Sequence, residues 1–245
     1  MYTMTQQNIR IFNSVSGLAG FFAGFLQQHI DANAGQPIVS VALSGGSTPR
    51  TIFEYMAANP ERISWDKLRL FWGDERCVGP GHSESNYRMV QESLLKHVAV
   101  PDNNVFRIKG EADPAGEAAR YASVVSHMLP DHGGIPRFDL VMLGMGDDGH
   151  TASIFPGNRQ LLHSNNLFEP ATHPTTGQKR ITATLRLINT ARNIVFLVTG
   201  AAKADMLARV IKKKEGWELL PAAHVQAAQG KLLWLLDEDA ASLLG

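Results

Sequence analysis

Residues 138–153 read Phe-Asp-Leu-Val-Met-Leu-Gly-Met-Gly-Asp-Asp-Gly-His-Thr-Ala-Ser. The first six form an apolar run of strand length, as expected of a strand buried on both faces. A glycine-rich polar loop follows at once. Strands covered on both faces belong to parallel sheets flanked by helices, and such sheets gather ligand-binding groups beyond the carboxyl ends of their strands. This stretch therefore predicts both a fold class and the place of a site.

Working outward, the same grammar recurs. Residues 194–199 (IVFLVT) are a second continuous apolar run, and 8–12, 38–43, 68–72, 105–108 and 232–236 read as further strands. Helical patterns fall between them. One runs to about His29, with Ser14 or Ser16 as its cap. One begins near Pro49, with Ser47 or Thr48 as cap and Ile52, Phe53 and Met56 inward. Others span about 84–98, 114–129 and 202–212. The alternation predicts an α/β fold, a mostly parallel sheet with helices on its faces. Residues 157–180 break the pattern and read as a polar excursion. No linker divides the chain, so 1–245 is expected to be one domain.

The chain has 245 residues, with 23 Lys+Arg against 23 Asp+Glu. A neutral balance argues against an electrostatic grip on nucleic acid or an anionic membrane. Mean hydropathy is −0.11 and no long apolar run occurs, so no membrane span is expected. Cys77 is the only cysteine, which rules out an internal disulfide or a multi-thiolate zinc site and points to a reducing, cytoplasmic setting. The apolar stretch 17–26, followed by Ala32-Asn33-Ala34, has part of the form of a secretory leader. It lacks the basic start, and an amphipathic first helix explains it as well.

Four motifs stand just after strands. Ser44-Gly45-Gly46-Ser47-Thr48-Pro49 opens a helix. Its free N–H groups and hydroxyls suit an anion, although an ordinary strand–helix turn uses the same glycines. Gly73-Asp74-Glu75-Arg76 places two carboxylates and an arginine together. One carboxylate is expected to pair structurally with Arg76, whose fork also suits oxyanions. In Gly146-Asp147-Asp148-Gly149-His150, a histidine beside two carboxylates at a strand end has the makings of a general base. In Thr199-Gly200-Ala201-Ala202-Lys203, the lysine sits in a first helical turn, where the dipole disfavours a cation and a bound phosphate would favour one. Arg180 is a further anion candidate. The hydrolase elbow Gly-x-Ser-x-Gly is absent, and nothing local marks Cys77 as activated.

Together these segments resemble the 6-phosphogluconolactonases. The resemblance is carried by SGGSTP at 44–49, WGDER at 72–76, ESNYRM at 84–89, FDLVMLGMGDDGHTASIFPG at 138–157, the run 180–207 and LPAAHV at 220–225. It implies the Rossmann-like three-layer fold that this family shares with glucosamine-6-phosphate isomerases. The related deaminases carry a glutamate after the His-containing motif. Here Thr151-Ala152-Ser153 follows His150 and no glutamate does. Asp147 stands where proline is frequent in the lactonases.

The reaction implied is hydrolysis of 6-phospho-D-glucono-1,5-lactone in the oxidative pentose phosphate pathway. His150 would activate water, Asp148 or Asp147 would hold the imidazole, and Arg76 with backbone N–H groups would steady the oxyanion. Lys203, Arg180 and the loop Ser44, Gly45, Gly46, Ser47, Thr48 would hold the phosphate. No metal or organic cofactor and no partner beyond the small phosphosugar lactone is implied, and a monomer or weak homodimer is expected. Two other readings stay open at this level. One is a sugar-phosphate isomerase with Asp74 as its base, and the other is a sugar-phosphate sensor without catalysis.

Overall fold

The computed structural model describes residues 8–32 and 38–245. In chain order the first half comprises β1 (Ile9–Phe12), α1 (Val15–Ala32), β2 (Val39–Leu43), α2 (Ser47–Ala58), β3 (Leu68–Trp72), β4 (Asp74–Arg76), α3 (Asn86–Val90), β5 (Val105–Phe106) and α4 (Pro114–Met128). The second half comprises β6 (Leu140–Leu143), α5 (Arg159–Leu162), β7 (Phe168–Thr172), β8 (Lys179–Ala183), α6 (Leu185–Ile188), β9 (Asn193–Val198), α7 (Ala204–Ile211), β10 (Lys231–Asp237) and α8 (Glu238–Ala241).

Seven strands form one sheet in the order β1-β10-β9-β6-β2-β3-β5, and every pairing in it is parallel. The chain builds outward from β2 through β3 to β5, then returns to lay β6 on the other side of β2. The crevice between β2 and β6 is therefore the topological switch point, where ligands of open α/β sheets bind. Every residue of β2, β6 and β9 is buried, which is why these strands read as unbroken apolar runs. Phe196 and Trp234 stack at 3.9 Å across β9 and β10.

Helix α1 buries Leu18, Ala19, Phe22, Ala23, Leu26 and Ile30, a single stripe at helical spacing. Ser14 Oγ accepts from Gly17 N at its start. The leader-like stretch 17–26 is thus part of a packed helix, whereas Asn33 and Ala34 of the supposed cleavage motif lie outside the described residues. Tyr121 of α4 ties the far edge together: its hydroxyl accepts from Trp72 N (2.9 Å) and donates to Phe106 O (2.7 Å). Among the described residues no helix is long and apolar enough to cross a membrane.

Several expectations need correction. The polar excursion is not irregular throughout. It contains α5 and β7, and β7 joins β8 and β4 in a second, antiparallel sheet of order β4-β8-β7. Helix α2 has neither Ser47 nor Thr48 as its cap. The cap is Gly46 at φ 107°, which makes no side-chain cap bond. The helix expected over 84–98 starts at Asn86, capped by Ser85, and passes into a π-turn at Gln91–Leu95. The strand near 105–108 is only Val105–Phe106. Ala201–Lys203 forms a 3-10 turn before α7.

Candidate active site

The loops after β2, β6 and β9 converge with β4 and β8 on one cleft of about 210 Å³. It is lined by Ser44, Gly45, Gly46, Ser47, Thr48, Asp74, Arg76, His150, Arg180 and Lys203, all read from the sequence as site candidates. Asp147 and Asp148 are not part of this lining but contact two members of it, Lys203 and His150. Asn86, Met145, Ala152 and Thr199 also face the cleft and were not foreseen.

His150 is held by Asp148. One carboxylate oxygen, Oδ1, takes both the His150 backbone N–H at 3.0 Å and ring Nδ1 at 2.6 Å. With Nδ1 committed as the donor to a carboxylate, the lone pair left to accept a proton is on Nε2. Burial pushes the Asp148 carboxyl up. The backbone N–H and the charge and ring of His150 outweigh this and leave it below its ordinary value. The loop closes on itself through Gly146 N to His150 O (2.9 Å) and Thr151 Oγ1 to Gly144 O (2.9 Å). Gly146 is required by space: a Cβ there would run into the His150 ring and the Asp148 carboxylate. Phe155 packs against the other side of the ring at 4.8 Å, and the Arg180 guanidinium lies over Phe155 at 5.5 Å.

Asp147 does not share the task of holding the imidazole. It pairs instead with Lys203, Nζ to Oδ1 at 2.5 Å. Gly200, at the head of the Lys203 turn, donates its N–H to both oxygens of Asp237 (3.0 and 2.9 Å), which also caps α8. Thr48 and Thr199 hydroxyls meet at 2.6 Å, joining the loops after β2 and β9 across the end of β6.

The expected pairing of Arg76 with a neighbouring carboxylate is absent among the described residues. Glu75, 2% exposed, accepts the backbone N–H groups of Arg76 (2.8 Å), Asn86 (2.7 Å) and Tyr87 (2.8 Å) and the Ser85 hydroxyl (3.1 Å). Burial pushes its carboxyl up and the three N–H groups oppose this. Glu75 is thus the structural carboxylate, and it anchors the start of α3. Asp74 is buried too, but it lines the cleft. Ser153 Oγ donates to its Oδ2 at 2.6 Å and Asn86 Nδ2 to its backbone O at 3.0 Å. Asn86 in turn lies against Gly45, where any Cβ would collide with its amide.

Among the described residues neither Arg76 nor Arg180 has a carboxylate partner. They are directly opposed in the β4–β8 register, and the Nε of each is buried with no protein acceptor. Burial, then the charge of Arg76, pushes the Arg180 guanidinium down. Holding two half-buried cations face to face is unfavourable unless an anion joins them. Three fixed cations, Arg76, Arg180 and Lys203, line the cleft against the one carboxylate of Asp74. Such a lining suits a small, strongly anionic ligand. Cys77 lies outside the lining, and burial, then the charge of Glu75, pushes its thiol up, away from reactivity.

Residues 15–234 match the family model described as glucosamine-6-phosphate isomerases/6-phosphogluconolactonase. This chain belongs to that family. It is 43% identical over 201 residues to a 6-phosphogluconolactonase of Treponema pallidum, covering 82% of each chain. Its fold is similar to a crystal structure of devB protein at TM-score 0.90 and 37% identity, covering 97% of this chain and 99% of the other. The 6-phosphogluconolactonase of Trypanosoma brucei superposes at TM-score 0.84 and 28% identity, covering 97% and 98%. Family membership accords with the mostly parallel sheet, and with a cleft that opens at the switch point of that sheet.

Proposed function

We propose that this chain hydrolyses 6-phospho-D-glucono-1,5-lactone to 6-phospho-D-gluconate in the oxidative pentose phosphate pathway. The observation that carries the reading is the His150–Asp148 pair on the wall of a cleft whose other walls carry three cations. Family membership supplies the substrate class. The relatives described above at 43% and 28% identity carry the name 6-phosphogluconolactonase.

In this mechanism Nε2 of His150 takes a proton from water, and the oxygen attacks C1 of the lactone. Asp148 stabilises the imidazolium that forms. The C1 oxyanion is met by backbone N–H groups of the glycine-rich loops and by Arg76. As the tetrahedral intermediate collapses, the ring C1–O5 bond breaks. The imidazolium returns the proton to O5, leaving the open-chain acid and a neutral His150. Arg180, Lys203 and the Ser44–Thr48 loop hold the phosphate, remote from the broken bond. Such binding positions C1 and contributes to the rate.

The test is a lactonase assay on freshly prepared 6-phosphogluconolactone, corrected for spontaneous opening. Enzyme-dependent acid release above that background is expected. Its absence in a folded sample retires the reading.

A further inference from the structure

Of the three cations lining the cleft, Lys203 alone is engaged by a carboxylate among the described residues. Its partner Asp147 does not line the cleft; it reaches in from the rim, with 76% of its side chain exposed against 25% for Lys203. Arg76 and Arg180 are fixed by their strands and have no such partner. Besides Asp74 in the lining, the site therefore has a second carboxylate close by, and this one is placed on a group read above as a phosphate ligand.

We infer that Asp147 is an internal competitor for the phosphate site. Its carboxylate covers Lys203 and must be displaced before Lys203 can bind a phosphate ester. Position 147 thereby sets the affinity and the charge selectivity for the phosphorylated substrate. The inference rests on the reading of Lys203 as a phosphate ligand.

The energetics fit a weak latch. A pair this exposed shifts a binding equilibrium by no more than about fivefold, because the carboxylate remains largely hydrated and is released into water at small cost. A phosphate dianion carries twice the charge of the carboxylate and more acceptor oxygens, so it wins the exchange. A neutral sugar lactone offers nothing to Lys203 and leaves the latch closed. The same exchange operates in reverse when the product departs, because the carboxylate is tethered beside the lysine. A pairing that instead holds Lys203 ready for phosphate predicts that loss of the Asp147 carboxylate raises KM for the phosphorylated lactone and the inhibition constant of its product.

The experiment compares the parent with Asp147→Asn, Lys203→Met and the double variant. KM is measured with fresh 6-phosphogluconolactone and with unphosphorylated gluconolactone. The inhibition constant of 6-phosphogluconate is measured in parallel. Asp147→Asn is expected to lower KM for the phosphorylated lactone and the inhibition constant of its product by about two- to fivefold. It is expected to leave KM for gluconolactone unchanged and to have no effect on a Lys203→Met background. An unchanged or higher KM in Asp147→Asn overturns the inference, as does an equal fall in the absence of Lys203. If Lys203→Met alone moves neither constant, the phosphate-ligand reading itself fails, whatever Asp147 does.

Discussion

Arg76 and Arg180 stand directly opposite each other across the antiparallel pairing of β4 and β8, with no carboxylate between them. Facing like charges cost stability in a sheet. The strands nonetheless hold them there, at the wall of the cleft, which is what the proposed role in binding an anionic substrate requires.

Arg180→Met should therefore separate binding from stability. Relief of the charge opposition is offset by loss of the contact with Phe155, and the unfolding free energy should stay within about 1 kcal/mol of the parent. KM for the phosphorylated lactone should rise about tenfold or more, as loss of hydrogen bonds to a charged group implies. Denaturant titration and steady-state kinetics on the same sample decide it. A loss of several kcal/mol with unchanged KM marks Arg180 as structural.

His150→Asn should lower kcat by about 10²–10⁴-fold with little change in KM. Asp148→Asn, which keeps the shape but cannot stabilise an imidazolium, should lower kcat without removing the fold. It should also flatten the acid limb of stability. The Asp148 carboxyl titrates below its ordinary value of 3.8 in the folded protein. Its contribution is present above the unfolded value and is lost as the pH falls through the folded one. The stability gap between parent and Asp148→Asn should be constant at neutral pH and close only below about pH 4. A gap that closes near pH 6 contradicts the assignment.

Gly146→Ala tests how tightly the His150–Asp148 pair is packed. Gly146 does not hold a left-handed backbone, so alanine suits its φ, but the added methyl meets the His150 ring and the Asp148 carboxylate. A displacement of about 1 Å at a reacting group costs about 10²-fold in rate. A loss of that order in kcat is expected with a nearly unchanged melting temperature. Parent-like kcat means that the ring does not need its observed place.

The chemistry at carbon separates a lactonase from an isomerase. Asp74 is held through Ser153 and its backbone through Asn86, and we expect it to orient substrate rather than move a proton between carbons. Incubation with glucosamine 6-phosphate in deuterated water should release no ammonia and place no deuterium on carbon. Lactone hydrolysis in ¹⁸O-water should put the label in the new carboxylate. Ammonia release at a rate comparable to lactone hydrolysis would return Asp74 to the role of base.

The legible parts of the sequence were those in which local pattern and tertiary environment coincide. The runs at 138–143 and 194–199 are apolar because parallel strands lose both faces to helices, and the polar loops that follow each strand end at the switch point for the same topological reason. Strand β4 was not legible. Asp74-Glu75-Arg76 has no strand pattern of its own and becomes extended by pairing with β8, far along the chain. The excursion concealed β7 because its sequence, FEPAT, carries Pro170 and only two other apolar side chains, Phe168 and Ala171. Spacing alone did not decide which of Asp74 and Glu75 is structural. The N–H groups that satisfy Glu75 come mostly from the start of α3, and Ser153, which meets Asp74, lies 79 residues away from it. Asp147 and Asp148 are adjacent in sequence yet turn to different partners, Lys203 and His150, a choice made by the backbone of the glycine loop.

The placement of β1 bears on how the polypeptide is made. β1 lies at an edge of the main sheet, and its single neighbour there is β10, the last strand in chain order. On a ribosome the first strand to emerge has no ladder to join until the final one has left the exit tunnel. The switch-point strands β2, β3 and β6 have partners, β5 and β9, that all precede β10 in the chain. Vectorial synthesis should therefore yield a central sheet that forms, with α1 packed on α2, while β1 waits for β10, and that edge closes after the rest of the sheet.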